Sequence, residues 1–350
     1  MPETNGLKTD EVRVKVQWGS SSARDLLYLQ SGWLARTPKP FGRNFAGIVV
    51  ARGIHVKHVN MDDKVFGCTF ESVERDPLQN GAGFLTIQQE CVAKIPSNIT
   101  PQAAVTIPSS FLSAFHAINA GLKLPVPWPN KLPGQNPHAQ SLQLVWGAGG
   151  TVGQHIIQLL RHFGFNNRFA VSAKKHHEHL KSIGATKVFD QADPELPRAL
   201  FEATMDLNHG SCPPGRFIID LLASQRDSIT HIATLAYPGA RVAVSVPIIG
   251  DLNPSTGDRT LYLDPILAAN WRPGVLANAF RPELYNQRQV LGQGLQAQLM
   301  PELIAKCVVT SVRFKEIRGA TLEERVQKAM NRAREEGIEG GSFVWRVSEN

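Results

Sequence analysis

The segment from Leu142 to Leu160 constrains this chain more than any other. Leu142-Gln143-Leu144-Val145-Trp146 reads as a buried strand, Gly147-Ala148-Gly149-Gly150-Thr151-Val152-Gly153 as a tight turn, and Ile156, Ile157, Leu159 and Leu160 recur at helical spacing. The glycines at 147, 150 and 153 keep the spacing of a dinucleotide fingerprint. That chemistry asks for one glycine to make the turn, one to let the backbone approach a pyrophosphate, and one to let helix and strand pack closely. The helix that follows aims its free N–H groups and the positive end of its dipole at the phosphates. The plain alternative is a glycine-rich strand-to-helix turn that binds nothing. The flanking strand and helix patterns favour the nucleotide, and Gly147, Gly149, Gly150, Thr151, Val152 and Gly153 are the candidate contacts.

The pattern continues in alternation. Strands are expected over 168–172, at Val188-Phe189, and over 216–220 and 241–246, with helices over 175–183, 195–205 and 224–235. Alternating strands and helices with apolar strands imply a parallel, doubly wound sheet. Ahead of this region, Glu11-Val-Arg-Val-Lys-Val-Gln-Trp-Gly19 alternates with period two, and short apolar runs at 45–52, 64–69 and 84–95 are punctuated by glycine. A helix is expected from about Ser109 to Leu122. Prolines at 125, 127, 129, 133 and 137 forbid regular structure between this helix and the glycine turn. The stretch reads either as an exposed loop or as a flexible interdomain linker. Beyond 260 the pattern weakens. Helices over 287–303 and 322–336 and a strand over 342–347 are expected, with that last strand returning to the first β region. The fold class is therefore α/β, a β-rich first domain (1–120 with 290–350) and a nucleotide-binding doubly wound domain (121–289).

The composition is that of an ordinary globular protein, with 42% hydrophobic and 19% charged residues over 350 positions. Its four cysteines, Cys68, Cys91, Cys212 and Cys307, form no C-x-x-C pair, which argues against a structural zinc knuckle and against a disulfide framework. No apolar run approaches the length of a membrane span, and the N-terminus carries no secretory pattern, so a cytoplasmic location is the default. A net charge of +7 invites acidic partners, but the basic residues are dispersed. Without a zinc finger, an aromatic RNA-binding motif or a basic arm, nucleic acid is not an expected partner.

The two-part layout and several motifs resemble the medium-chain dehydrogenases and reductases. Gly42-Arg-Asn-Phe-Ala-Gly47 is similar to that family's glycine-bounded segment before a strand. Asp63-Lys-Val-Phe-Gly67 is similar to its G-D-x-V-x-G turn, with Asp62 in the glycine's place. Ala103-Ala-Val-Thr-Ile-Pro108, Ser113-Ala114 and Ile183-Gly-Ala185 through Asp190 resemble further segments. The resemblance implies a GroES-like β-rich catalytic domain joined to a Rossmann domain. The zinc-dependent branch fits poorly: no early cysteine stands near Ser20–Asp25, and its G-H-E is Gly42-Arg43-Asn44 here. Three protein ligands are the minimum for a catalytic zinc. Neighbouring His176, His177 and His179 read as surface histidines. Within the zinc-free branch, the proline-rich insertion and Ala120-Gly-Leu-Lys-Leu-Pro-Val-Pro resemble fungal enoyl reductases that act in trans with polyketide synthases.

An NAD site places an acid at the end of the second strand, to bind the ribose hydroxyls. Here that strand ends in Ala170-Val-Ser-Ala-Lys-Lys-His176, with no carboxylate. Ser172 can donate to a phosphate and Lys174 and Lys175 can neutralise it, so NADPH is the expected cofactor. Solvated surface lysines are the alternative. The resemblance places Gly149–Val152 on the pyrophosphate and Ala173–His176 on the adenosine phosphate, with Gln191 where a tyrosine often stands. It implies reduction of an α,β-unsaturated thioester, with Ser113 lining the substrate pocket. Relatives carry a lysine or tyrosine after the residue matching Asp25, so Tyr28 is the candidate proton donor and solvent the alternative. A small or carrier-bound acyl substrate and a polyketide synthase partner follow. Two other functions stand beside it: a quinone or enone reductase, and a cyclase-like protein that binds NADPH without redox chemistry.

Overall fold

The computed structural model describes residues 6–21, 25, 42–68, 83–132, 134–207, 217–252, 259–280, 294–336 and 340–348. The chain divides into two compact units, Met1–Leu112 with Asn286–Asn350, and Ser113–Tyr285. Tyr28 lies outside the described residues, as does Cys212.

The first unit opens with β1 (Glu11–Ser20), whose alternate residues Val12, Val14, Val16 and Trp18 turn inward as the period-two pattern requires. β2 (Asn44–Arg52) pairs with it antiparallel, with register shifts between Arg13/Val14 and Val16/Trp18. At the second shift a Cβ on Gly47 would stand 2.1 Å from the Lys15 carbonyl oxygen, so only glycine lets the strands approach. β3 (Lys64–Cys68), β4 (Phe84–Gln88) and β5 (Val92–Lys94) complete the antiparallel part. Asp62, which stands in the glycine's place ahead of β3, adopts φ 66°, the left-handed conformation that position asks for. α1 (Pro101–Ala104) is capped by Thr100, whose hydroxyl accepts from the Ala103 N–H, and carries proline at its start. α2 (Pro108–His116) then leads from this unit into the next and ends in a π-helical turn, Ala117–Gly121.

In the second unit the chain runs through β6 (Leu142–Trp146), α3 (Thr151–His162), β7 (Asn167–Ser172), α4 (His177–Ile183), β8 (Lys187–Asp190), α5 (Leu196–Leu207) and β9 (Phe217–Asp220). A π-helical turn at Gln225–Ile229, α6 (Thr230–Leu235), β10 (Arg241–Ser245), the hairpin β11 (Ile248–Leu252) and β12 (Arg259–Tyr262), and β13 (Leu276–Phe280) follow. Among the described residues the main sheet has the order β13-β10-β9-β6-β7-β8, all parallel. The chain starts in the middle, winds out to β8, then crosses back to β9, which is the doubly wound topology expected. Leu144, Trp146, Val171, Ile218 and Val242 form the core between sheet and helices. The proline-rich stretch is a docked loop rather than a linker. Trp128 packs edge-on to Phe115 with ring centroids 5.5 Å apart, Asn136 donates to the Phe163 carbonyl at 3.1 Å, and Ala139 accepts from the Asn166 N–H at 2.7 Å.

The chain returns to the first unit through a π-helical turn, Leu295–Leu299, then α7 (Met300–Ala305), β14 (Arg313–Ile317), α8 (Leu322–Glu336) and β15 (Gly341–Arg346). The earlier part of the helix expected over 287–303 lies outside the described residues. β15 pairs antiparallel with β1 and parallel with β14, so the first unit's sheet runs β14-β15-β1-β2-β3-β5, with β4 also on β1.

Candidate functional site

The glycine turn sits where the topology reverses. β6 is flanked by β7 on one side and β9 on the other, and Trp146 faces Val171 and Asp220 across the two ladders. In an open parallel sheet, ligands bind outside the carboxyl ends of the strands at such a reversal. Gly147 has φ 78°, and the N–H groups of Gly147 and Ala148 both donate to the Val171 carbonyl at 3.0 Å, which folds the turn over the end of β7. A Cβ on Gly153 would stand 2.6 Å from both Cα and carbonyl oxygen of Ala148, so this glycine brings α3 against the turn. A Cβ on Gly149 would stand 2.5 Å from the His176 ring, whereas one on exposed Gly150 would meet nothing nearer than 3.5 Å. Gly150 is the N-cap of α3 and supplies no side-chain acceptor. The first-turn N–H groups of Thr151, Val152 and Gly153, which a helix cannot satisfy internally, are therefore left to an external acceptor.

Beside the turn, β7 ends at Ser172. This residue is buried, and its hydroxyl donates to the Ala173 carbonyl at 3.3 Å. Its own carbonyl accepts from the Gln191 N–H at 3.1 Å and lies 3.2 Å from His177 Nε2. Lys174 and Lys175 are exposed on the short 3-10 turn Lys174–His176. Gly147–Gly153, Ser172–His176 and Gln191 thus share one edge of the sheet. That edge also holds Asp190, paired with Ser172 across β7 and β8, whose carboxylate accepts from the Ala192 N–H at 3.1 Å. The sequence marks Asp190 as the end of the Ile183–Asp190 segment but not as a site residue, because it belongs to the neighbouring strand.

Asp220 is a second residue that spacing did not single out. It ends β9 fully buried, accepts from the N–H groups of Leu222 and Ala223 at 3.0 and 3.2 Å, and from the Ser228 hydroxyl at 2.8 Å. Burial pushes its carboxyl up to about 6, against the pull of those hydrogen bonds. A lone acid closing the run Phe217-Ile-Ile-Asp220 is the sequence signal for it. Trp146 stacks on His231 with ring centroids 6.0 Å apart and planes 7° from parallel.

In the first unit the Gly42-Arg43-Asn44 position serves architecture. Asn44 accepts from the Ser109 N–H at 3.0 Å and donates to Ser20 Oγ at 3.1 Å, and Ser20 donates to the Val105 carbonyl at 2.8 Å. This buried chain ties β1 and β2 to the start of α2. The Cys68 thiol is pushed up to about 12 by burial and that of Cys91 higher still, so both stay protonated. Among the described residues no three of His, Cys, Asp and Glu group together as metal ligands would. Ser113 is half-buried on α2. No described helix is long and apolar enough to cross a membrane.

A GroES-like β domain combined with a parallel, doubly wound dinucleotide domain is the fold of the medium-chain dehydrogenases and reductases, and this chain has that fold. Residues 8–99 match the alcohol dehydrogenase GroES-like domain family. The enoyl reductase component of lovastatin nonaketide synthase from Aspergillus terreus is 31% identical over 198 residues, 55% of this chain and 53% of that protein. A 2-methylene-furan-3-one reductase from Solanum lycopersicum is 29% identical over 272 residues, 75% of this chain and 62% of that protein. Among solved structures, the CurK enoyl reductase shares the fold with a TM-score of 0.69 at 20% identity, covering 99% of this chain and 94% of that one. The chain spans about half the length of the curated relatives it matches. The resemblance to fungal enoyl reductases expected from the motifs is thus found among these relatives.

Proposed function

We propose that this protein is a zinc-independent, NADPH-dependent reductase of an activated carbon–carbon double bond, acting in the cytoplasm on an enoyl thioester of polyketide type. The observation that carries the proposal is the glycine turn at the sheet's reversal point, opening into a helix with no side-chain cap. Such a cradle fits a pyrophosphate: Gly153 admits close packing, exposed Gly150 leaves the approach open, and the first-turn N–H groups of Thr151–Gly153 supply donors. Exposed Lys174 and Lys175 offer two positive charges where an NAD site would place an acid. Asp190 stands nearby on the next strand, with one carboxylate oxygen accepting from the Ala192 N–H. When bound, NADPH supplies hydride to the β-carbon. The protein's part is to orient the acyl chain, with Ser113 at the substrate side, and to deliver a proton to the α-carbon from Tyr28 or from solvent. The similarity to a polyketide enoyl reductase component supports the substrate class and an acyl chain carried by a partner synthase. The net charge of +7 suits an acidic carrier domain.

The similarity to a 2-methylene-furan-3-one reductase over 75% of the chain favours one other reading, reduction of a free enone. One series of measurements separates the two. The purified protein is titrated with NADPH and with NADH, and the nicotinamide absorbance is then followed after addition of a crotonyl thioester, a small enone or a quinone. Tight NADPH binding with thioester-dependent oxidation is the expected outcome. Turnover of the enone or quinone alone moves the assignment to the second reading. Binding without oxidation of any of them points to a substrate accepted only on its carrier or to a non-redox role for the same fold.

A further inference from the structure

Two polar side chains beside the glycine turn have no role in the function proposed above. Gln154 lies in the first turn of α3 and is only 3% exposed, on a helix that also buries the polar His155 and Gln158 beside Ile156, Ile157, Leu159 and Leu160. Its Nε2 donates to the Gly149 carbonyl at 2.8 Å, and its Oε1 lies 3.1 Å from Nε2 of His179 on α4. The direction of both bonds follows from the groups themselves. A carbonyl oxygen only accepts, so the amide must turn its NH2 toward Gly149; its remaining oxygen only accepts, so His179 Nε2 must carry the hydrogen. A flipped amide would set two oxygens against each other. The chain therefore runs from His179 Nε2–H to Gln154 Oε1, and from Gln154 Nε2–H to the Gly149 carbonyl.

The far end of this chain holds the peptide between Gly149 and Gly150. With no Cβ on either side, that peptide is the easiest in the turn to rotate. Its two polar groups are fixed separately, the carbonyl by Gln154 and the Gly150 N–H by the Gly147 carbonyl at 3.2 Å. Releasing the carbonyl would let its negative end swing toward the start of α3, where N–H groups collect. Resting on the dinucleotide site proposed above, we propose that His179 and Gln154 form a relay that positions the Gly149–Gly150 peptide, so that the turn offers a pyrophosphate its N–H groups and withholds a carbonyl oxygen. Both are positioning residues that act through Gly149.

The test compares the wild-type protein with Gln154→Leu, His179→Phe, the double variant, and His179→Gln, whose Nε2 can stand where the imidazole Nε2 stands. Calorimetry gives the affinity of each for NADPH and for adenosine 2′-monophosphate, which lacks the pyrophosphate. Hydrogen exchange of the turn amides is followed without ligand. The loss of one buried hydrogen bond predicts NADPH binding weaker by about tenfold in Gln154→Leu. Binding of adenosine 2′-monophosphate is expected to stay within about twofold, because no pyrophosphate is involved. Exchange at residues 149–151 is expected to quicken. His179→Phe should weaken NADPH in the same sense, His179→Gln should restore it, and the double variant should bind no more weakly than Gln154→Leu, because the two residues act in series. NADPH affinity unchanged in Gln154→Leu, equal weakening of both ligands, or additive losses in the double variant would each overturn the relay. Should Gln154→Leu fail to fold, the two half-buried His179 variants still decide it. A wild-type protein that binds neither NADPH nor NADH overturns the dinucleotide site itself, whatever the variants do.

Discussion

A methyl group at Gly153 and one at Gly150 should have opposite consequences, although both glycines belong to the same spacing. At Gly153 the new Cβ would meet backbone atoms of Ala148 at 2.6 Å, and backbone cannot move aside as a flexible side chain can. Elsewhere within a helix, alanine is favoured over glycine by about 1 kcal/mol. Here the clash reverses the sign, and Gly153→Ala is expected to lower the unfolding free energy by about 2 kcal/mol, in the range of overpacked sites. Gly150 has φ −69°, which any residue adopts, and a methyl there would meet only the Gly147 carbonyl oxygen, at an ordinary contact distance of 3.5 Å. Gly150→Ala should therefore leave the urea midpoint unchanged and weaken NADPH binding, because the methyl lies on the exposed lip a pyrophosphate must approach. Equal stabilities for the two variants would show that the packing role assigned to Gly153 is wrong. The triplet of glycines is plain in the sequence, whereas the division of labour among them depends on which atoms stand within 3 Å of each, and spacing does not carry that.

Between β9 and α6, the buried carboxyl of Asp220 links stability to pH. Its ordinary value is 3.8 and the folded value about 6, so across that window the native state keeps a proton that the unfolded chain has released. The contribution is fully present below the lower value and is lost as pH rises through the upper one. Asp220→Asn removes the titration and keeps the shape. The amide oxygen accepts from Leu222 and Ala223, and the amide nitrogen donates to Ser228 Oγ, whose hydroxyl already reaches the Ser224 carbonyl at 3.0 Å. Urea midpoints taken between about pH 4 and pH 7 should therefore show the variant gaining on the wild type by on the order of 3 kcal/mol. His116, pushed down to about 4 by burial, titrates with the opposite slope in part of this window, and the comparison between variants cancels it. A difference that stays constant with pH would exclude Asp220 as the source. At this scale the sequence was legible where period and punctuation agree, as in β1, β6, α3 and α8. It was not legible over the hairpin β11–β12 or over β13, where alternate residues such as Leu276 are exposed at 56% on a sheet edge and an apolar pattern has no single buried face to report. The π-helical turns at 117–121, 225–229 and 295–299 also leave no mark, since one extra residue in a turn shifts the helical period without erasing it.

The first unit is assembled from the two ends of the chain, and its integrity depends on how firmly the last strand is held. β15 meets β1 through Trp18↔Arg346, Gly19↔Trp345 and Ser20↔Val344, partners more than 320 positions apart. Contacts so distant in sequence must overcome a large loop-closure entropy. Side chains reinforce the junction: Ser342 donates to the Ser21 carbonyl at 2.7 Å, and Ser21 Oγ accepts from the Phe343 N–H at 2.9 Å. Arg325 secures the far end. It is only 8% exposed on α8, and its guanidinium donates to the carbonyls of Gly319, Ala320 and Arg346 at 2.8, 3.4 and 2.7 Å, joining the loop before α8 to the end of the closing strand. A returning strand over 342–347 could be read from its apolar run, but nothing in the local pattern shows that an arginine in a charged helix is the residue that fastens it. Arg325→Ala leaves three carbonyls short of a donor and is expected to lower the unfolding free energy by about 2 to 4 kcal/mol, with faster amide exchange in residues 344–346. Arg325→Lys should recover less than half of that loss, because one ammonium on a flexible stem cannot stand where the three guanidinium nitrogens each meet a separate carbonyl. A urea midpoint unchanged in the alanine variant, or full recovery with lysine, would mean that the strand is held by its ladder and by the Trp345 side of the core, and that the two ends of the chain close on each other without this clamp.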